Sequence, residues 1–102
     1  MKIVLVCNAG MSTGIMQVKI EEEAKKRGIA DISVVAAPMT ELNDYTPGAT
    51  VVPLGPQVRF AESDIRDQVD PAIPVFTISS QDFGLMRADK VLDYIEELVD
   101  KA

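Results

Sequence analysis

Cys7 is the only thiol in the chain, and no histidine accompanies it. Those two counts exclude Ser-His-Asp and Cys-His catalysis, an internal disulfide, and any cage of His and Cys ligands around a metal. No metal or cofactor is expected. The nucleophile left for covalent chemistry at neutral pH is Cys7 itself. The residues after it are mostly small: Asn8, Ala9, Gly10, Met11, Ser12, Thr13 and Gly14. Small side chains at Ala9, Gly10 and Ser12 let backbone N–H groups curl inward as an anion nest. A helix starting just beyond adds its unpaired N–H groups and positive dipole end. The same field favours thiolate over thiol at Cys7. A thiolate in a cradle of N–H donors can attack phosphorus in line while the cradle holds the equatorial oxygens. Plainer roles exist for these residues. A lone cysteine at a strand end also serves as a small buried hydrophobe, Ser12 as an N-cap and Asn8 as a turn former.

Hydrolysis of a phosphocysteine needs groups that this loop does not supply. A cysteine phosphatase loop of similar length ends in an arginine six positions after the cysteine, and here that position is Thr13. Lys19, the nearest basic residue, lies too far along the helix. A phosphatase also needs a general acid for the leaving oxygen. Asp70-Pro71 precedes the fourth strand, at the opposite edge of the sheet from Cys7. Asp82 falls at the right edge without a supporting motif, where a solvated or capping role is the simpler reading. A loop able to form a thiophosphate, with no arginine clamp and no acid, suits transfer to a second acceptor better than hydrolysis. A small cysteine phosphatase or arsenate-reductase-like enzyme is the main alternative, and it too lacks its second cysteine here. A receiver-type module would need an aspartate ending strand three, where Val52-Pro53-Leu54-Gly55 stand.

The elements that must position Cys7 alternate simply. Ile3–Val6 is a continuous apolar run, as in a strand covered on both faces. From Thr13 or Gly14 to Arg27 the period becomes helical: Met16, Ile20 and Ala24 share a face that Ile15 joins. Gly28 is the C′ residue. Residues 32–36 form a second strand stopped by Pro38, and residues 39–42 a short helix. Thr50-Val51-Val52 is a third strand, ended early by Pro53, and Leu54-Gly55-Pro56-Gln57 is a turn. Val58, Ala61, Ile65 and Val69 give another helical face, broken by Asp70-Pro71. Residues 73–78 form a fourth strand and residues 79–84 a polar loop. The last helix runs over residues 85–101, with Ala88, Val91, Leu92, Ile95, Leu98 and Val99 as its buried stripe. Strands alternating with helices predict one α/β domain over residues 1–102, with a parallel sheet between helical layers. Ligands of such sheets bind beyond the carboxyl ends of the strands, where Cys7 lies.

Length and charge bound the partners. The chain has 102 residues, 16 acidic against 10 basic side chains, and a net charge of −6. One domain of this size has room for one core and one site. The negative balance disfavours nucleic acid and anionic membrane surfaces. The apolar run at residues 3–6 is too short for a signal peptide, so a cytoplasmic location is expected, without membrane insertion. Glu21-Glu22-Glu23 reads as a solvated helix face. Met11 and Met39 are candidate apolar contacts for a docking partner.

The stretch from Cys7 to Thr13 resembles the active-site loop of the lactose/cellobiose-type IIB component of the bacterial phosphoenolpyruvate-dependent sugar phosphotransferase system. Leu54-Gly55-Pro56-Gln57-Val58 resembles that family's third-strand loop, and Phe83-Gly84 with Val91-Leu92 its entry to the last helix. The likeness covers essentially the whole chain. It implies a three-layer α/β/α fold with a four-stranded parallel sheet in order 2-1-3-4, sharing the loop architecture of low-molecular-weight tyrosine phosphatases. It also implies a phosphocarrier. Cys7 would take phosphate from a phosphohistidine of the IIA protein and pass it to a sugar, such as a β-linked disaccharide, bound by the membrane-embedded IIC transporter. Asn8, Ala9, Gly10, Met11, Ser12 and Thr13 would cradle the phosphate. Gly55, Pro56 and Gln57 would border the site and face partners, with the chain docking transiently as a monomer. Arg87-Ala88 depart from an Asp-Gly pair common in the family, which bears on how the last helix is capped.

Overall fold

The computed structural model describes residues 1–8 and 11–100, with the side chains of residues 11–13 and 100 outside that description. Strand β1 (Lys2–Cys7) leads to helix α1 (Met11–Lys26) and strand β2 (Ser33–Pro38). A 3₁₀ turn (Met39–Glu41) and the short helix α2 (Leu42–Tyr45) follow, then strand β3 (Val52–Leu54). A 3₁₀ segment (Pro56–Ala61) enters helix α3 (Glu62–Gln68), which returns the chain to strand β4 (Val75–Thr77). Helices α4 (Ser80–Gly84) and α5 (Ala88–Asp100) complete the order. The four strands are parallel and ordered β2-β1-β3-β4, as expected.

Side-chain parity along β1 separates two cores. Ile3 and Leu5 join Met16, Ile20 and Ala24 of α1 and Val91, Leu92 and Ile95 of α5. Val4 and Val6 join Leu42, Val58, Ala61 and Ile65 on the other face. The result is the three-layer arrangement. Full burial of each large aliphatic side chain contributes roughly 1.5–3 kcal/mol, so the interior residues of β1 anchor both layers. No described helix is long and apolar enough to cross a membrane.

Helix α1 ends where Gly28 predicts. Ile29 N–H donates to the Ala24 carbonyl at 3.0 Å and Gly28 N–H to Lys25 at 3.1 Å, with Gly28 at φ 72°. This is a Schellman closure, which needs the left-handed conformation that glycine adopts without a Cβ penalty.

Several local expectations are corrected. Strand β2 runs through Pro38, because it is an edge strand and tolerates a missing donor. Strand β3 is not ended by Pro53, which lies buried within it. Val4 N–H donates to Val51 at 3.1 Å and Gly55 N–H to Val6 at 2.9 Å. Between these bonds the ladder would use an N–H at residue 53, which proline lacks. The missing donor falls only on the β1 side. Toward β4, Val52 N–H reaches Pro74 at 2.9 Å and Ile78 N–H reaches Leu54 at 2.8 Å.

The 79–84 segment is a helix rather than an open loop, capped by Ser79, whose Oγ accepts from Asp82 N–H at 3.1 Å. The last helix starts at Ala88 rather than at residue 85. Met86 takes the left-handed conformation (φ 53°), and Arg87 N–H closes back on the Asp82 carbonyl at 2.8 Å. Ile15 does not join the buried face of α1, which Met16, Ile20 and Ala24 form; it is 47% exposed.

Candidate functional site

Cys7 is the last residue of β1 and pairs with Pro38 on β2. On the other side Val6 pairs with Leu54, so the next pair outward is Cys7 with Gly55. Parity puts Cys7 on the face of Ile3 and Leu5, which is the face that α1 covers. The thiol is buried, at 4% exposure. It thus stands at the carboxyl edge of the sheet, where parallel α/β folds bind ligands, yet beneath the surface.

The cradle residues follow directly. Asn8 is an exposed bend just past the strand. Ala9 and Gly10 lie outside the described residues. Helix α1 begins at Met11, earlier than the expected Thr13 or Gly14. Met11, Ser12, Thr13 and Gly14 therefore occupy the first turn, whose N–H groups have no partner within the helix. The side chains of Met11, Ser12 and Thr13 are outside the described set, and the N-cap reading of Ser12 with them.

The second loop comes from β3. Gly55 N–H donates to the Val6 carbonyl at 2.9 Å, tying this loop to the strand that carries Cys7. Pro56 opens the 3₁₀ segment at a position where its fixed φ and missing N–H cost nothing. Pro56 is buried and Gln57 exposed. Gly55, Pro56 and Gln57 are thus brought to the edge that holds Cys7. Arg59 and Phe60, not singled out by sequence reasoning, lie on the exposed side of the same segment. Phe60 is 73% exposed and Arg59 Nη1 reaches the Pro56 carbonyl at 3.5 Å. The available signal was an aromatic residue beside an arginine, immediately after the Gly-Pro-Gln turn.

The residues weighed as acids or clamps go elsewhere. Asp70 Oδ1 accepts from Ala72 N–H at 2.9 Å, in the turn before β4, at the opposite edge. Asp82 lies in the first turn of α4 beside a groove of about 340 Å³, lined also by Thr77, Ser79, Lys90 and Tyr94. Lys19 lines a groove between α1 and α5 with Glu22, Glu23 and Asp89. Arg87 forks onto Asp89 through Nε (3.1 Å) and Nη2 (3.0 Å) at the start of α5.

Comparison with known proteins agrees with this geometry. Residues 2–94 match the family model described as the lactose/cellobiose-specific IIB subunit of the PTS system. The galactose-specific EIIB component of Lactococcus lactis subsp. cremoris is 34% identical over 95% of this chain and 94% of its own length. The cellobiose-specific EIIB component of Lactococcus lactis subsp. lactis matches with the same identity and coverage. The solution structure of the cellobiose-specific IIB component from Borrelia burgdorferi superposes with a TM-score of 0.79 at 34% identity, covering 99% of this chain and 93% of that one. The lactose-specific IIB domain from Streptococcus pneumoniae also reaches 0.79, at 15% identity and 95% coverage of each chain, a likeness of fold alone. With the sheet order, the cysteine at its carboxyl edge and these matches in agreement, the chain belongs to the lactose/cellobiose-specific IIB family of the sugar phosphotransferase system.

Proposed function

We propose that Cys7 is the phosphoacceptor of a sugar phosphotransferase relay. In the first step its thiolate sulfur attacks the phosphorus of a phosphohistidine on the IIA protein. The S–P bond forms as the N–P bond breaks, and the released imidazole nitrogen keeps the electron pair and takes up a proton. In the second step a hydroxyl of a sugar on the IIC transporter attacks the same phosphorus. The O–P bond forms, the S–P bond breaks, the hydroxyl proton leaves, and the Cys7 thiolate is restored. The chain itself would work on the cytoplasmic side as a monomer that docks with each partner in turn.

The observation that carries this reading is the address of Cys7, at the carboxyl end of β1 and at the foot of α1. The unpaired N–H groups of the first turn of α1 supply the positive end of a helix dipole to the charged phosphoryl group. Asn8, Ala9, Gly10, Met11, Ser12 and Thr13 form the cradle, and Gly55, Pro56 and Gln57 its border. The low exposure of the thiol supports a carrier: a thiophosphate kept from bulk water survives until its acceptor arrives. The sugar is of the β-linked disaccharide class, a reading supported by the relatives named for cellobiose and oligo-β-mannoside.

Incubation with phosphoenolpyruvate, the general phosphocarriers and a cognate IIA protein, read by intact mass, tests the proposal. One phosphoryl group is expected on the wild-type chain and none on Cys7→Ser. An unmodified wild-type chain would overturn it. So would rapid release of inorganic phosphate from an aryl phosphate, which belongs to the phosphatase alternative.

A further inference from the structure

Gly55 has no side chain, and the space where one would start is taken by Gln57. A Cβ placed on Gly55 would lie 2.6 Å from Gln57 Oε1 and 3.7 Å from its Cδ. The end of the exposed Gln57 side chain therefore folds back toward the Gly55 backbone at the end of β3. Gly55 is the position across from Cys7, one step beyond the Val6–Leu54 pair. Neighbouring strands run about 4.8 Å apart, and paired positions present their side chains to one face. The Gln57 carboxamide oxygen thus lies where a Gly55 side chain would start, which strand register puts beside the Cys7 position. Among the described residues it makes no hydrogen bond of its own.

We propose that the Gln57 carboxamide donates a hydrogen bond to a phosphoryl oxygen carried on Cys7, supplementing the α1 cradle from the neighbouring strand. The inference rests on Cys7 being the phosphoacceptor. An amide NH₂ offers two donors without a positive charge. A neutral donor steadies the transferring group less than an arginine would, which suits a site that must release its phosphate to a partner. Gly55 is what makes room: any larger residue there would displace the carboxamide.

The test measures transfer from a phosphorylated cognate IIA protein to the full-length chain, for wild type, Gln57→Ala and Gln57→Glu, across donor concentrations. Gln57→Glu keeps the size and shape but, when ionised, accepts only and repels the phosphoryl group. A maximal rate about tenfold lower is expected for Gln57→Ala and a larger loss for Gln57→Glu, with unchanged melting temperatures. The Gln57 NH₂ resonances of the wild-type chain should also move on phosphorylation. Wild-type maximal rates in both variants, a loss confined to the half-saturating donor concentration, or unmoved NH₂ resonances would each overturn the role of Gln57. A wild-type chain that takes no phosphoryl group on Cys7 overturns the phosphoacceptor reading instead, and this proposal with it.

Discussion

Arg27, just past the end of α1, places Nη2 2.8 Å from Asp93 Oδ1 on α5. The same guanidinium lies 2.9 Å from Glu23 and 3.5 Å from Glu96, and donates to the Asp89 carbonyl at 3.0 Å. It is held above its ordinary pKa first by the Glu23 hydrogen bond; burial opposes the rise next in size, and Asp93 and then Glu96 add to it. One side chain therefore clamps the two helices that cover the Cys7 face. Arg27→Met keeps the apolar stem and removes the charge. It should lower stability by about 1 kcal/mol, more than a single exposed pair, because several partners are lost together. Urea denaturation checks this, and the deficit should shrink at high salt. An unchanged midpoint at low salt would contradict it.

Asp89 gives a pH signature at the start of α5. The Arg87 fork holds its carboxyl at about 2, below the ordinary 3.8, with smaller help from backbone hydrogen bonding at Lys90. The folded value lies under the unfolded one. Its contribution to stability is therefore complete above the ordinary carboxylate range and is lost as pH falls toward about 2. A side-chain carboxyl NMR titration should show this low midpoint, and Arg87→Gln should return it to near 3.8. A wild-type midpoint near 4 would contradict the pairing. The Arg87 fork onto Asp89 thus anchors α5 at its start.

Pro53 offers a test of the ladder. Pro53→Val supplies the N–H that the ladder lacks opposite the Val4 carbonyl. The new hydrogen bond is worth about 1 kcal/mol and is opposed by the greater freedom of the unfolded chain. Net stability should change by less than about 1 kcal/mol. The informative reading is hydrogen exchange: amide 53 should be as protected as its strand neighbours. Free exchange there would show that β1 and β3 do not close between residues 51 and 55.

Gly55→Ala separates the fold from the site. The added methyl would meet the movable end of Gln57 at 2.6 Å, while the Val6 carbonyl is at an ordinary 3.6 Å. The chain should fold, with stability changed by less than about 1 kcal/mol, and phosphoryl transfer should fall as in Gln57→Ala. Full transfer activity in Gly55→Ala would contradict the placement of Gln57.

Much of this was readable from residue order. Continuous apolar strands alternating with helical periods imply the parallel sheet, and the sheet puts Cys7 at its carboxyl edge. Gly28 marked its helix end because glycine at C′ has a local cause. The misjudged features have causes that are not local. Pro53 looks like a stop, but its missing donor costs one bond in a strand held from the other side. Met86 ends α4 in a conformation usually given to glycine, so no residue type flagged the break before α5. Ile15 has the right spacing for burial and the wrong angle to the sheet. The fold-back of Gln57 depends on the empty side-chain place at Gly55, and a turn motif alone carries no sign of it.

The proposed relay puts the transferred phosphoryl group on the Cys7 sulfur. Phosphorus NMR of the chain after reaction with a phosphorylated cognate IIA protein tests it directly. A single resonance in the S-phosphate region is expected, absent from Cys7→Ser. A resonance belonging to a phosphate on nitrogen or oxygen, or an S-phosphate signal that survives Cys7→Ser, would contradict it.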